Sequence, residues 1–180
     1  KGNDPMTKLL GISGALRAAS TNTQLVRHAA DIFDAESFTM ADLNLPLYNG
    51  DVEAAGIPAP VQTLADQIRD ADAVIISTPE YNKSISGVLK NALDWVSRTE
   101  GSPWADKPVA IMSSAAGRAG GERTQFALRL CMMPFGTRLI QGPELLVGGN
   151  YNEFDADGKL SNDRYIATLT TLMDKLRAEI

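Results

Sequence analysis

Short aliphatic runs alternate along this chain with longer stretches in which apolar positions recur every three or four residues. The first run, Lys8 to Ser13 (KLLGIS), predicts a strand, and Asn22 to Phe33 predicts the amphipathic helix behind it. The alternation then repeats. Ser37 to Leu43 reads as a strand, Ala59 to Asp70 as a helix, Ala73 to Ser77 (AVIIS) as a buried strand and Ser86 to Ser97 as a helix. Pro108 to Ser113 (PVAIMS) is a further strand, Glu122 to Met133 a helix, Thr137 to Val147 an edge strand, and Asp163 to Ile180 the closing helix. Five strand-helix units with almost continuously apolar strands predict an α/β fold, a five-stranded parallel sheet covered by helices on both faces. The strand order expected of such a chain is 2-1-3-4-5, which puts a ligand site at the carboxyl ends of strands 1, 3 and 4.

Composition narrows the picture. A length of 180 residues suits one domain, expected over residues 8–180, with residues 1–7 expected to be a tag or a disordered N-terminus. The 22 acidic and 17 basic residues leave a net charge of -5 without any Lys/Arg run, so no nucleic-acid partner is expected. No apolar stretch reaches the ~20 residues of a membrane span, and no secretory leader pattern precedes Met6; a soluble, cytoplasmic protein is expected. The single cysteine, Cys131, excludes an internal disulfide and any paired-cysteine redox or zinc motif. Redox chemistry in this chain therefore requires a bound cofactor, and no metal site is expected.

The strand-order rule selects three loops. The first, Gly14 to Asn22 (GALRAASTN), places Arg17 and several small hydrogen-bonding residues where a helix begins. Unpaired first-turn amides and the positive end of the helix dipole favour an anion there, and a guanidinium matches phosphate oxygens. The alternative role for Ser20 or Asn22 is a plain helix cap, but a cap needs no arginine upstream of it. The spacing is neither a Walker A loop nor GxGxxG. The second loop, Pro79 to Gly87 (PEYNKSISG), sets an aromatic, a carboxylate and an amide at the sheet mouth, where a planar heterocycle needs one apolar wall and polar groups along its edge. The third, Ser114 to Gly121 (SAAGRAGG), is small enough for backbone to approach a flat ligand.

LLGISGALRAASTN, PEYNKSISGVLKNALDWVSR and SSAAGRAGGERTQ together resemble the NAD(P)H-dependent FMN reductases of flavodoxin-like fold, a group that includes quinone, chromate and azo-dye reductases. The resemblance runs over roughly residues 8 to 180. It implies that Ser13, Arg17, Ser20, Thr21 and Asn22 contact the FMN phosphate. It further implies that Pro79, Glu80, Tyr81 and Asn82 flank the isoalloxazine ring, and that Ser114, Ala115 and Gly117 close over the ring edge. Three positions depart from the family pattern: Ala15 stands where a serine is usual, Ser86 where proline is frequent, and Ala115-Ala116 where a hydroxyl-bearing residue opens the third loop.

What the resemblance implies for the chemistry is a ping-pong reaction, in which NADPH or NADH passes a hydride to FMN and leaves, and a quinone, flavin or similar small acceptor takes its place. It also implies a homodimer or homotetramer. The connection from Leu43 to Pro60 is long enough to be functional, and Tyr48 within it is a candidate for the substrate pocket of its own or a neighbouring subunit. His28, the only histidine, reads as a helix-packing residue, Cys131 as a small core residue, and Arg118 as a solvated loop arginine. The alternative left open is a flavodoxin-like electron carrier that binds FMN without reacting with pyridine nucleotides. Such carriers generally grip the phosphate with hydroxyls and no arginine, which makes Arg17 the discriminating residue. A receiver domain or a cysteine phosphatase fits poorly, because Ile12-Ser13-Gly14 ends the first strand where those need acids or a cysteine.

Overall fold

The computed structural model describes residues 7–180. The expected tag or disordered segment at 1–7 lies outside the described residues except for Thr7, whose amide is bound by Glu36 and whose carbonyl accepts from Ser37. Strands β1 (Lys8–Ser13), β2 (Ser37–Met40), β3 (Ala73–Thr78) and β4 (Pro108–Ser114) form a parallel sheet in the order β2-β1-β3-β4. Its fifth position is filled by β5 (Arg138–Leu139) and β6 (Leu145–Val147), both parallel to β4. This is the flavodoxin-like order expected from the alternation of apolar runs.

Side chains alternate across the sheet with a period of two, and each face carries its own core. Leu10, Ile12, Val74, Ile76, Val109 and Ile111 face α3 (Ala59–Asp70), α4 (Gly87–Val96) and α5 (Glu122–Met132). Leu9, Ala73, Ile75, Ala110 and Met112 face α1 (Thr21–Phe33) and α6 (Asp163–Arg177). Gly11 lets α1 approach β1 closely, since a Cβ there would collide with Val26 and Phe38. A short helix, α2 (Gly50–Ala54), interrupts the long connection after β2, where the sequence pattern gave no helical signal.

Two expected strands are shortened. The run Ser37 to Leu43 is ladder-paired only to Met40, after which Ala41 and Leu43 turn into the core. Thr137 to Val147 is not one strand: Leu139 pairs with Val109 and Leu145 with Met112, so six residues span what β4 covers in three. The excess is looped out around Gln141-Gly142-Pro143, where proline has no amide to give the ladder. The offset brings β6 alongside Ser114, at the end of β4 where the site lies.

His28 is buried between α1 and the turn after β6, and its Nδ1 accepts the Leu160 amide hydrogen at 3.0 Å. Burial holds its pKa below the usual 6.5, and Lys159 adds to that, opposed by Asp31 and Asp155. The folded state therefore favours neutral imidazole. The stability this contributes is complete above about pH 6.5 and is lost as pH falls from there through the lower folded-state value. We expect the melting temperature to decline between about pH 7 and pH 5, and His28→Asn, which keeps an acceptor near Nδ1 without the titration, to flatten that decline in pH-dependent thermal unfolding.

Candidate functional site

One side-chain amide in α1 ties the carboxyl ends of β3 and β4 together, and a backbone bond joins β1 to them. Asn22 lies buried in the first turn of α1; its Oδ1 accepts from the Ser77 hydroxyl at 2.8 Å and the Ser114 amide at 3.0 Å, while its Nδ2 donates to the Ser114 carbonyl at 2.9 Å. The Gly14 amide adds a bond to the Ser77 carbonyl at 2.8 Å. Ser20 caps α1, its Oγ accepting the Asn22 amide hydrogen at 3.2 Å. The first loop is thus fixed in place by groups that still leave the helix N-terminus pointing outward.

In front of it opens a cleft of about 260 Å³ lined by Arg17, Ser20, Thr21, Pro79, Tyr81 and Ser114, together with Ala15, Asn22, Glu80, Ala115, Ala116, Asn150 and Tyr151. The Arg17 guanidinium is exposed and takes part in none of the ion pairs among the described residues. A larger hollow between β1, β2 and α3, about 340 Å³, sets Lys8 against the two carboxylates Asp66 and Asp70 and has no helix N-terminus in its lining.

The second loop builds the opposite wall. Tyr81 and Ser84 exchange backbone hydrogen bonds of 3.0 and 3.1 Å around Asn82 and Lys83, whose φ values of 51° and 67° give the tight hairpin turn that carries Tyr81 to the rim. Glu80 turns away toward α5: it accepts the Arg123 amide hydrogen at 3.2 Å and faces the Arg123 guanidinium at 3.6 Å, supplying an acid to the N-terminus of a helix that has no side-chain cap of its own. The Pro79 carbonyl accepts from Thr124 at 3.1 Å. Ser86, the departure from proline, caps α4 through the Leu89 amide at 3.4 Å.

The third loop is held from behind. The Ser113 hydroxyl donates to the Gly120 carbonyl at 2.6 Å, and Gln125 Nε2 donates to Ser113 Oγ at 3.0 Å and to the Leu145 carbonyl at 2.8 Å. Gly120 and Gly121 both have positive φ, at 61° and 88°, and are packed too tightly against Leu146 and Ser113 for a side chain. The Ala115 amide continues the sheet onto the Val147 carbonyl at 3.0 Å.

Nine of the twelve candidate cofactor residues therefore line one cleft, and three do not. Ser13 sits behind it, hydrogen-bonded to Thr23 Oγ1 at 2.8 Å. Asn82 shapes the turn, and Gly117 is exposed on the third loop. Tyr48 is also outside the cleft of its own chain. Its ring packs edge-on against Trp95 at 5.0 Å and its hydroxyl donates to Glu53 at 2.7 Å; Glu53 in turn pairs with Arg98 at 2.9 Å. Asn150 and Tyr151, in a single 3-10 turn after β6, line the cleft without any motif in the sequence to mark them.

The chain matches the family model for NADPH-dependent FMN reductases over residues 7–152. It is 43% identical over 159 residues to an NAD(P)H-dependent FMN reductase of Pseudomonas aeruginosa, covering 87% of this chain and 86% of that one. Against a quinone reductase of Escherichia coli strain K12 the identity is 40% over 152 residues, covering 82% of this chain and 81% of the relative. Among solved structures, the flavoenzyme NAD(P)H:(acceptor) oxidoreductase FerB of Paracoccus denitrificans superposes with a TM-score of 0.85 at 30% identity, covering 94% of each chain.

Removing the Asn22 amide would strand the Ser77 hydroxyl and both backbone groups of Ser114 in a buried place. Asn22→Ala should cost about 3 kcal/mol, lowering the melting temperature of the flavin-free protein by roughly 6 to 12 °C. An unchanged melting temperature in the flavin-free protein would assign Asn22 to ligand contact alone.

Proposed function

The chain belongs to the NADPH-dependent FMN reductase family, an oxidoreductase family in which FMN and NAD(P)H are the working pair, and we propose that it reduces quinones or similar small acceptors through one shared cleft by a ping-pong mechanism. The observation that carries this reading is the convergence of unpaired donors and an aromatic rim in one place. Arg17, Thr21, Ser20 and the first-turn amides of α1 offer an anion a guanidinium, hydroxyl protons and a helix dipole with no acidic residue in that turn. These groups suit the FMN phosphate. Pro79 and Tyr81 would flank the ring, and the third loop from Ser114 to Gly117 would lie along its edge, where the amide hydrogens of Ala116 and Gly117 would favour negative charge; those of Ser114 and Ala115 are already bonded to Asn22 and Val147. Glu80 and Asn82 serve by shaping the second loop. When bound, FMN supplies the hydride chemistry, accepting from the nicotinamide nucleotide and giving to the acceptor.

No side chain in the cleft is required as a general acid or base on this reading. Tyr81, exposed at the mouth, gives nicotinamide and acceptor the same apolar edge, so that one must leave before the other enters. Ala15 contributes no hydroxyl, and its amide leans on Ser13 Oγ at 3.4 Å, which leaves Arg17 as the strongest donor. A single cysteine and net acidity suit a reducing cytoplasm. Assembly into a homodimer or homotetramer is supported by the exposed apolar row of Phe126 and Leu130 on α5 and Met133 just after it, and by Leu47 beside Tyr48, leaving Tyr48 to serve a neighbouring copy's pocket.

FMN-loaded protein mixed with NADH or NADPH in the absence of air should lose its flavin absorbance, and steady-state rates against a quinone should give parallel double-reciprocal lines. Bleaching by neither nucleotide would leave an electron carrier and sink the reductase reading. Arg17→Ala should weaken FMN binding by about 1.5 to 3 kcal/mol, roughly 10- to 150-fold in Kd, by flavin fluorescence titration. For the assembly, light scattering on the eluting protein should give a multiple of 19.3 kDa, reduced by Leu130→Glu; a monomeric native protein would refute it.

A further inference from the structure

Thr21 Oγ1 receives two hydrogen bonds from within the protein. Asn150 Nδ2 donates to it at 2.8 Å, and the Ser114 hydroxyl donates to it at 3.0 Å. A hydroxyl has two acceptor lone pairs and one proton. With both lone pairs filled, the Thr21 proton has no acceptor among the described residues and is left for the cleft that Thr21 lines. The second hydrogen of Asn150 Nδ2 goes to Ser114 Oγ at 3.2 Å, which directs the Ser114 proton onto Thr21. One amide thus sets the direction of two hydroxyls.

From this we propose that Asn150 is a positioning residue of the anion pocket, making Thr21 an obligatory donor toward a bound phosphate. The assignment rests on the FMN-phosphate reading of the cleft and names a residue that neither the loop motifs nor the family pattern marked. Asn150 is itself placed by the third loop. Its amide donates to the Ala115 carbonyl at 3.4 Å, and Gly148, just before it, fits against the Arg118 backbone where a Cβ would collide. The looped-out segment between β5 and β6 sets the register that delivers it, since Val147 pairs with Ser114. A carboxylate in the same place would accept protons instead of donating them, turning both hydroxyls away from the cleft and adding a negative charge beside the anion.

The test compares FMN with riboflavin, which has the same ring and no phosphate, by fluorescence titration of the flavin-free protein. Asn150→Asp should weaken FMN about 100-fold and riboflavin less than about threefold. Asn150→Ala should weaken FMN about fivefold in the native background and less than about twofold in Thr21→Val, because its effect passes through that hydroxyl. Equal losses for FMN and riboflavin would mean a general structural role and overturn the proposal, as would an undiminished Asn150→Ala effect in Thr21→Val. Native protein that holds FMN no more tightly than riboflavin would instead refute the phosphate reading on which the proposal stands.

Discussion

The buried amide of Asn22 is the constraint from which the site follows. Three strand ends in a parallel sheet leave unpaired backbone and hydroxyl groups at the point where loops diverge, and each such group costs about 1 to 3 kcal/mol if it is buried without a partner. Asn22 reaches Ser77 on β3 and both backbone groups of Ser114 on β4 from a single position in α1. It does so from the second residue of the helix, so its own placement depends on the Ser20 cap. Breaking any part of this knot would free the first and third loops from each other, and with them the two halves of the cleft.

A division of labour results between residues that build the cleft and residues that face into it. Ser13, Asn22, Glu80 and Ser86 spend their hydrogen-bonding capacity inside the protein, on a strand end or a helix N-terminus, and Asn82 contributes the positive φ of a turn. Arg17 and Thr21 keep donors in reserve. This explains how the chain dispenses with a hydroxyl at Ala15 and a proline at position 86. The first loop retains an arginine that joins none of the ion pairs among the described residues, and Ser86 fixes the second loop by capping α4 instead of restricting φ.

Periodicity made most of the sheet legible, because the apolar runs of β1 to β4 each lie in one strand and the 3.6-period stretches each in one helix; strand order followed from topology rules. Local chemistry marked Arg17 and the run from Pro79 to Tyr81, which the structure brings to one cleft, but it did not separate them from Ser13 and Asn82, which lie outside it. What stayed hidden was long-range. Asn150 meets Thr21 across 129 residues, and nothing near position 150 in the sequence signals that contact. Likewise, Thr137 to Val147 looks like a continuous strand because its apolar residues continue on both sides of Gln141-Gly142-Pro143. Only pairing with β4 reveals the three-residue excess. Gln125 is a third case, a polar residue in a helix whose importance lies in Ser113 and Leu145, each reached by tertiary packing.

Electrostatics explains how an acidic chain can hold an anion. A net charge of -5 repels phosphate at long range, but at physiological salt that field is screened beyond about 8 Å, so the groups within the cleft decide the outcome. There the acids are absent or spoken for. The first turn of α1 has none, as is also true of α3 and α4, whose starts do not line the cleft, whereas α2, α5 and α6 carry Asp51, Glu122 and Asp163 in their first turns to complement their own dipoles. Glu80, the one carboxylate lining the cleft, is directed to Arg123 and the N-terminus of α5. The positive end of α1 thus faces this cleft without a resident acid, and Arg17 and the Thr21 hydroxyl add to it at the same point. Local donors of this strength outweigh a screened net charge, so an acidic chain can still hold an anion where a guanidinium, a hydroxyl and a helix start converge.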